Sequence, residues 1–433
     1  MTALALAMQD EGWQVSGSDT DESFITDSIL ASRNLGVRPL SQKPPVDTDL
    51  IIYSGAYSPP NSDIRTLSLA EALAEFVASR QVIAIAGVGG KTTTSAMLAV
   101  LMRSASRDVG YYIGTGSVIG LDTPGASGSD PYYVVEADEY AISSSDTRPK
   151  FALLAPKILI TTNIIHDHPD IYPDESATLA TFTELIRKLT PGSTWICNSS
   201  DSFTAQILNL PAQAGLQGQP ARRGGALEDV KVIEYGLDHP LFSKLNLSVF
   251  GDHNRLDALA AVLASIEAGL TEEDALKAIT HYYGAERRQQ KIGEVRERLL
   301  YDDYGHHPDE IKATIQAFKQ EFPQRRLVLV FESHTYSRTK ALFSEFAKAL
   351  ALADLVYVMP IFESAREKGV EHTVTHTGLS DLVNKLGTES RPLNWDSAAA
   401  TIAKASREGD LILTMGAGFV YKLHPDISAI LQS

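Results

Sequence analysis

The sequence predicts an α/β protein built as three successive domains, each around a largely parallel sheet. Three observations carry that prediction. Short apolar strands alternate with helical stretches along the chain, the order that βαβ units produce. A glycine-rich loop at residues 87–94 stands between a strand and a helix. The pattern also restarts near residues 81 and 286, and 433 residues suit three domains at roughly 150 each. The expected boundaries are 1–80, 81–285 and 286–433.

In chain order, residues 2–11 read as a helix closed by Gly12. Short strands are expected at 13–16, running into Gly17-Ser18-Asp19, and at 50–54. A βαβ unit opens on a strand, whereas this chain opens inside a helix, and the glycine-rich turn that usually joins strand to helix would lie before Met1. The second domain starts with a strand at 82–86, the glycine loop and a helix over 92–102. Strands follow at 132–135 and 157–161, a surface loop at 216–225, and helices at 255–268 and 272–282. Arg287, Arg288, Arg296 and Arg298 mark 284–298 as a charged connection. The third domain alternates strands at 299–302, 327–331, 355–359 and 411–415 with helices at 309–322 and 339–352. Pro308 suits a first helical turn, and Ile311, Ile315 and Phe318 share one face. The chain has no internal repeat.

Charge narrows the partners. Lys plus Arg number 38 and Asp plus Glu 54, a net −16, which argues against a nucleic-acid or anionic-membrane binder. The single cysteine, Cys197, forms no intrachain disulfide, which suits a reducing compartment. Nothing approaches 18 consecutive apolar residues, and the apolar start lacks a basic flank, so neither a membrane span nor a signal peptide is expected. These counts predict a cytoplasmic location.

Five segments carry chemistry. Gly87-Val88-Gly89-Gly90-Lys91-Thr92-Thr93-Thr94 has the composition of a phosphate loop, although the first glycine of the standard pattern falls on Ile85. Glycines let backbone N–H groups approach phosphates, Lys91 supplies charge and the Thr92 hydroxyl suits Mg²⁺. Glu136-Ala137-Asp138-Glu139 follows a strand, where open α/β sheets bind ligands, and its oxygens also suit Mg²⁺. The run from Thr161 to Asp170 contains Asn163, His166, Asp167 and His168, a set that suits a metal. Zinc is open in principle, and the phosphate loop favours Mg²⁺. The third domain adds Asp302-Asp303-Tyr304-Gly305-His306-His307 and His334-Thr335-Tyr336-Ser337-Arg338, both at strand ends. Asp252-His253-Asn254-Arg255 opens a helix and, alone, reads as a cap.

Taken together these segments resemble the Mur ligase family, the ATP-dependent amide-bond formers of peptidoglycan precursor synthesis. The resemblance spans essentially the whole chain, in order: GVGGKTTT at 87–94, EADE at 136–139, TTNIIHDHPD at 161–170, DHNRLDALAA at 252–261, ERR at 286–288, DDYGHHPDEI at 302–311, HTYSRT at 334–339 and MGAG at 415–418. It implies a Rossmann-like N-terminal domain for a UDP-linked substrate, a central P-loop ATPase domain and a Rossmann-like C-terminal domain that closes over the site. The third-domain motifs are most similar to members that join L-alanine to UDP-N-acetylmuramate through an acyl phosphate. EADEY with Arg148-Pro149-Lys150-Phe151 is also similar to the sister ligase that attaches a recycled peptide, and a nucleotide-binding relative with impaired ligase activity is the third reading.

The resemblance assigns residues as follows. Gly87, Gly89, Gly90, Lys91, Thr92, Thr93 and Asn163 hold the ATP phosphates, with Lys91 on the transferring group. Thr92, Glu139 and His168 ligate Mg²⁺. Asn254 contacts adenine, and Arg288 and Asp303 hold ATP from the third domain. His306, His334 and Arg338 face the amino acid, while Ser18, Asp19 and Ser54 serve the UDP-linked substrate. A monomer or homodimer is expected. Relatives usually carry arginine where this chain has Thr335, and aspartate where it has Phe419.

Overall fold

A computed structural model describes residues 1–20, 26–143, 145–166, 171–209, 229–363, 367 and 372–432. The expected loop at 216–225 and residues 167–170, which include His168, lie outside the described residues. The chain divides into two compact units. One comprises Met1–His166, Ile171–Ser248 and Arg255–Tyr283; the other includes Val249–Asn254 and Gly284–Ser433.

The first unit opens with α1 (Thr2–Asp10), β1 (Gly17–Asp19), α2 (Asp27–Ser32), β2 (Val37–Pro39), β3 (Leu50–Tyr53), β4 (Arg65–Ser68) and α3 (Leu69–Phe76). The strand expected at 13–16 instead forms at Gly17–Asp19, where the chain pairs in parallel with β2. Trp13 is largely exposed and has no strand partner there. Strands β3 and β4 form a separate parallel pair. Ala3, Leu4 and Met8 of α1 join the same core as Val82 and Ala84. The helix lies so close that a Cβ on Gly125 would sit 2.1 Å from the Ala3 carbonyl oxygen.

Next come β5 (Gln81–Ala86), α4 (Lys91–Ser104), β6 (Gly110–Tyr112), β7 (Gly125–Ala126), β8 (Tyr132–Glu136), β9 (Pro156–Thr161), α5 (Glu175–Arg187), β10 (Thr194–Asn198), α6 (Ser202–Leu208) and β11 (Lys231–Tyr235). Helices α7 (Asp252–Glu267) and α8 (Glu272–Ala278) follow, and a 3₁₀ turn at Ile279–His281 replaces the end of the helix expected to reach 282. The seven strands order as β11-β10-β9-β5-β8-β6-β7, parallel except for β6–β7. Val82 to Ala86 are all buried, as strands covered on both faces require. Register pairs Ile85 with Glu136 and Ala86 with Thr161, so the loops after β5, β8 and β9 leave the sheet side by side. Cys197 in β10 is fully buried, and burial with nearby Glu234 and Asp201 pushes its thiol up to about 12.

The second unit contains β12 (Gln290–Val295), β13 (Arg298–Asp303), α9 (Pro308–Glu321), β14 (Leu327–Phe331), α10 (Tyr336–Ala341), α11 (Phe343–Leu350), β15 (Leu355–Val358), α12 (His376–Lys385), β16 (Ser390–Pro392), α13 (Trp395–Ala405), β17 (Leu411–Met415) and α14 (His424–Gln432). Much of the expected connection at 284–298 is strand β12, joined to β13 by a tight turn with Arg296 and Glu297 at φ 44° and 62°. The single helix expected at 339–352 breaks at Leu342. Phe346, Ala347 and Leu350 then face the core under β14 and β15. Strand order is β12-β13-β17-β14-β15-β16, with only β12 antiparallel. Asp303 and Phe331 both register with Met415, which aligns three motif-bearing loops at one sheet edge. Among the described residues, no helix is long and apolar enough to cross a membrane.

Candidate active site

The phosphate loop of the first unit forms because only glycine tolerates its geometry. Gly87 has φ 138° and Gly90 φ 82°, and a Cβ on Gly87 would lie 2.2 Å from Thr162 Oγ1. Val88 and Gly89 donate their backbone N–H groups to Asn163 Oδ1 at 3.1 and 2.9 Å. Asn163 thus sits against the loop and occupies two of its backbone donors.

Lys91 starts α4 and is nearly buried. Its ammonium donates to the Gly87 and Val88 carbonyls at 2.7 and 3.1 Å and pairs with Glu139 at 2.8 Å. Burial alone would lower the Lys91 pKa, but Glu139, Asp138 and Glu136 outweigh it and raise it. Thr92 donates its hydroxyl to Glu136 Oε1 at 2.8 Å, while Gly114 N–H donates to Oε2 at 2.7 Å. Burial and Asp138 hold the Glu136 carboxyl above its ordinary range. Tyr172 fixes the segment by donating its hydroxyl to the Glu139 carbonyl at 2.6 Å. Thr93 lies buried in the first turn of α4. Asp257 was missed by sequence reasoning: its carboxylate would lie 2.5 Å from a Cβ on Gly90.

Thr92, Glu136 and Glu139 carry oxygen donors, the ligand type that Mg²⁺ prefers. Among the described residues, no group of three or more His, Cys, Asp or Glu is arranged to hold a metal by itself. Mg²⁺ commonly takes one or two carboxylates and completes its shell with water and phosphate oxygens. Of the expected UDP-site residues, Ser18 and Asp19 are exposed at the end of β1, and Ser54 is half-buried after β3. The Ser54 turn lies against the segment after Glu139, since a Cβ on Gly55 would meet the Ile142 carbonyl at 2.2 Å.

In the second unit, Asn254 donates its side-chain amide to the Phe250 carbonyl at 2.8 Å and to Gln289 Oε1 at 3.0 Å. Asp303 accepts from the Gln289 and Gly305 N–H groups, both at 2.8 Å. Burial pushes it up to about 6 against the pull of Arg288. Arg288 is half-buried, its guanidinium 5.2 Å from the Tyr304 ring centroid. Its neighbour Arg287 is the buried one. It pairs with Asp302 at 2.8 Å, donates to the Gly416 and Gly418 carbonyls and stacks on Tyr421 at 4.5 Å.

His306 and His334 come together, ring centroids 6.1 Å apart, with Glu310 3.6 Å from His306. Half-buried Glu310 is lowered to about 2, chiefly by His306 and Arg288 against the cost of desolvation, and caps α9. Arg338 is buried in the first turns of α10. Thr335 caps that helix at φ 70°, a strained angle for a β-branched residue. Sequence reasoning passed over Glu332, although a carboxylate directly after an all-apolar strand was a visible signal. It is buried, accepts the Val420 N–H at 2.7 Å and, mainly through burial, is pushed up to about 7.

That shift has a testable sign. A carboxyl raised in the folded chain favours folding at low pH, and its contribution falls as pH rises from about 4.5 to 7, on the order of 3 kcal/mol in all. Melting wild type and Glu332→Gln between pH 5 and 8 is expected to show wild type losing ground to the variant as pH rises. Parallel profiles would refute the assignment.

Residues 85–265 match the Mur ligase middle domain, and 287–418 match the Mur ligase, glutamate ligase domain. A Desulfitobacterium hafniense (strain Y51) protein named UDP-N-acetylmuramate–L-alanine ligase is 31% identical over 441 residues, 98% of this chain and 96% of that one. A Kineococcus radiotolerans protein of the same name is 34% identical over 463 residues, covering 100% and 94%. Among solved structures, the Thermotoga maritima UDP-N-acetylmuramate-alanine ligase aligns with TM-score 0.73 at 20% identity, covering 99% and 96%. The murein peptide ligase of Psychrobacter arcticus 273-4 aligns at 0.69 and 22%, covering 100% and 96%. At those identities the structural likeness is one of fold. With the motif-bearing loops at the sheet edges and relatives above 30% identity along its length, the chain belongs to the Mur ligase family, the ATP-dependent amide-bond-forming ligases.

Proposed function

We propose that the chain joins L-alanine to UDP-N-acetylmuramate in peptidoglycan precursor synthesis, in the cytoplasm and as a monomer or homodimer. ATP's γ-phosphoryl group passes to the muramoyl carboxylate and ADP leaves. The alanine amine then attacks the acyl carbon, losing a proton and expelling phosphate with its bonding pair. The observation that carries the reading is the buried Lys91–Glu139 pair at the mouth of the phosphate loop, beside Thr92–Glu136.

Each group has a task. Backbone N–H groups of Val88 and Gly89, now on Asn163, are oriented for phosphate oxygens, and Lys91 neutralises the transferring group. Gly87, Gly90 and Thr93 shape and start the helix that completes this cradle. Thr92 and Glu139, with His168 as a further ligand, would hold Mg²⁺, which would supply charge neutralisation at the phosphates. Asn254, set by Gln289, contacts adenine; Arg288 and Asp303 hold the nucleotide. His306, His334 and Arg338 face the amino acid, with Arg338 countering its carboxylate. Ser18, Asp19 and Ser54 serve the UDP-linked substrate within residues 1–80, with 81–285 as the ATP-binding part and 286–433 as the C-terminal domain.

The peptide-recycling alternative rests on EADEY with Arg148-Pro149-Lys150-Phe151. Arg148 here pairs with Asp146 at 2.6 Å, and Lys150 pairs with Asp138 at 3.1 Å and lies over Tyr140. Those charges are engaged locally, which supports the alanine reading. Phosphate release is expected to require ATP, Mg²⁺, UDP-N-acetylmuramate and L-alanine together. Turnover with the tripeptide but not with L-alanine would replace this reading.

A further inference from the structure

The proposed chemistry leaves two aromatic rings of the second unit, Phe362 and Phe419, without a role. His334 stacks on Phe362, ring centroids 4.9 Å apart and planes 11° apart. Phe362 meets Phe419 edge to face at 5.4 Å. Backbone hydrogen bonds fix this register, from Phe362 N–H to the Ser333 carbonyl at 2.8 Å and from Thr335 N–H to the Phe362 carbonyl at 3.0 Å. Phe419 is anchored too: Glu332 accepts the N–H of the next residue, Val420, and the Lys422 ammonium sits 4.3 Å from the ring. All three rings are half-buried. Of the carboxylates in this region, Glu332 accepts the Val420 N–H, Glu363 lies 3.4 Å from His372, and Glu367 accepts the Tyr336 and Ser337 N–H groups. Two partly exposed phenyl rings beside a histidine pair form a surface suited to an apolar group.

We propose that Phe362 and Phe419 wall the side-chain end of the amino-acid subsite and set its preference for a small apolar side chain. The inference rests on the reading of His306, His334 and Arg338 as facing the amino acid. Against two phenyl rings, the methyl of L-alanine gains contacts that glycine lacks. The hydroxyl of L-serine loses water there and gains no acceptor from the rings. Each difference is expected to be worth about 10- to 100-fold in kcat/KM.

The test compares kcat/KM for glycine, L-alanine and L-serine with ATP, Mg²⁺ and UDP-N-acetylmuramate. Wild type is expected to favour L-alanine by at least about 10-fold over each. Phe419→Asn should narrow the alanine-to-serine ratio at least about fivefold, mainly through KM, while Phe419→Leu keeps it within about twofold. Should Phe419→Asn not fold, Phe362→Asn is read in the same way. A wild-type ratio near one, or unchanged ratios in the Asn variants with alanine turnover present, overturns the wall and leaves the ligase reading standing. Absence of alanine turnover in wild type overturns both.

Discussion

Lys91→Met is expected to lower alanine-dependent phosphate release by at least about 10³-fold, the scale at which a charge aimed at developing negative charge acts. The same change strikes stability, because Lys91 pairs with buried Glu139 and its charge also offsets Asp138 and Glu136. Removing one partner of a buried pair costs about 3–5 kcal/mol, partly relieved when a stranded carboxyl takes up a proton. A carboxyl raised by that loss binds its proton more tightly folded than unfolded. The deficit should therefore grow as pH rises, and melts at pH 5.5 and 8 would show it. Lys91→Arg keeps the charge and should recover much of the stability while remaining poorly active, since a planar fork does not replace a compact ammonium. Ligation at near wild-type rate in Lys91→Met would remove the phosphate loop from the mechanism.

Arg287→Leu is expected to be the most damaging single change in the second unit. It strands Asp302, whose carboxyl burial already raises, and removes the donors to the Gly416 and Gly418 carbonyls. A loss of about 3–5 kcal/mol follows from the charge alone, or roughly 10 °C in melting temperature for a unit of this size. Arg288→Leu, one residue away and half-buried, should cost about 1 kcal/mol or less in stability. Comparable melting losses for the two variants would contradict the division of labour drawn here.

Those adjacent arginines show where sequence reasoning ends. Strands at 327–331 and 411–415 were legible residue for residue, because buried parallel strands are unbroken apolar runs. The turn between β5 and α4 was legible because Gly87 and Gly90 adopt positive φ that other residues rarely take. Which of Arg287 and Arg288 turns inward depends on a positive φ of 58° at Arg287, a backbone choice that two identical side chains cannot announce. Strand β12 was hidden similarly: Arg296 and Glu297 make its turn without the Asn-Gly or Asp-Gly that usually marks one. Strand β10 mixes Thr194 and Asn198 with Trp195 and Cys197, and its burial comes from β9 and β11 on either side. The cluster of Phe362 and Phe419 joins residues 57 positions apart (419 − 362), and no local pattern links them.

The sequestered thiol of Cys197 has a practical consequence. A cysteine with its sulfur enclosed in β10 and its proton held tightly reacts slowly with maleimides and other electrophiles. Being the sole cysteine in the chain, it leaves the wild-type background effectively silent to thiol labelling. Cysteines introduced at strongly exposed positions such as Val46 and Leu386 could then carry a donor–acceptor dye pair without first engineering the native residue away. Single-molecule fluorescence during turnover becomes accessible from two point substitutions.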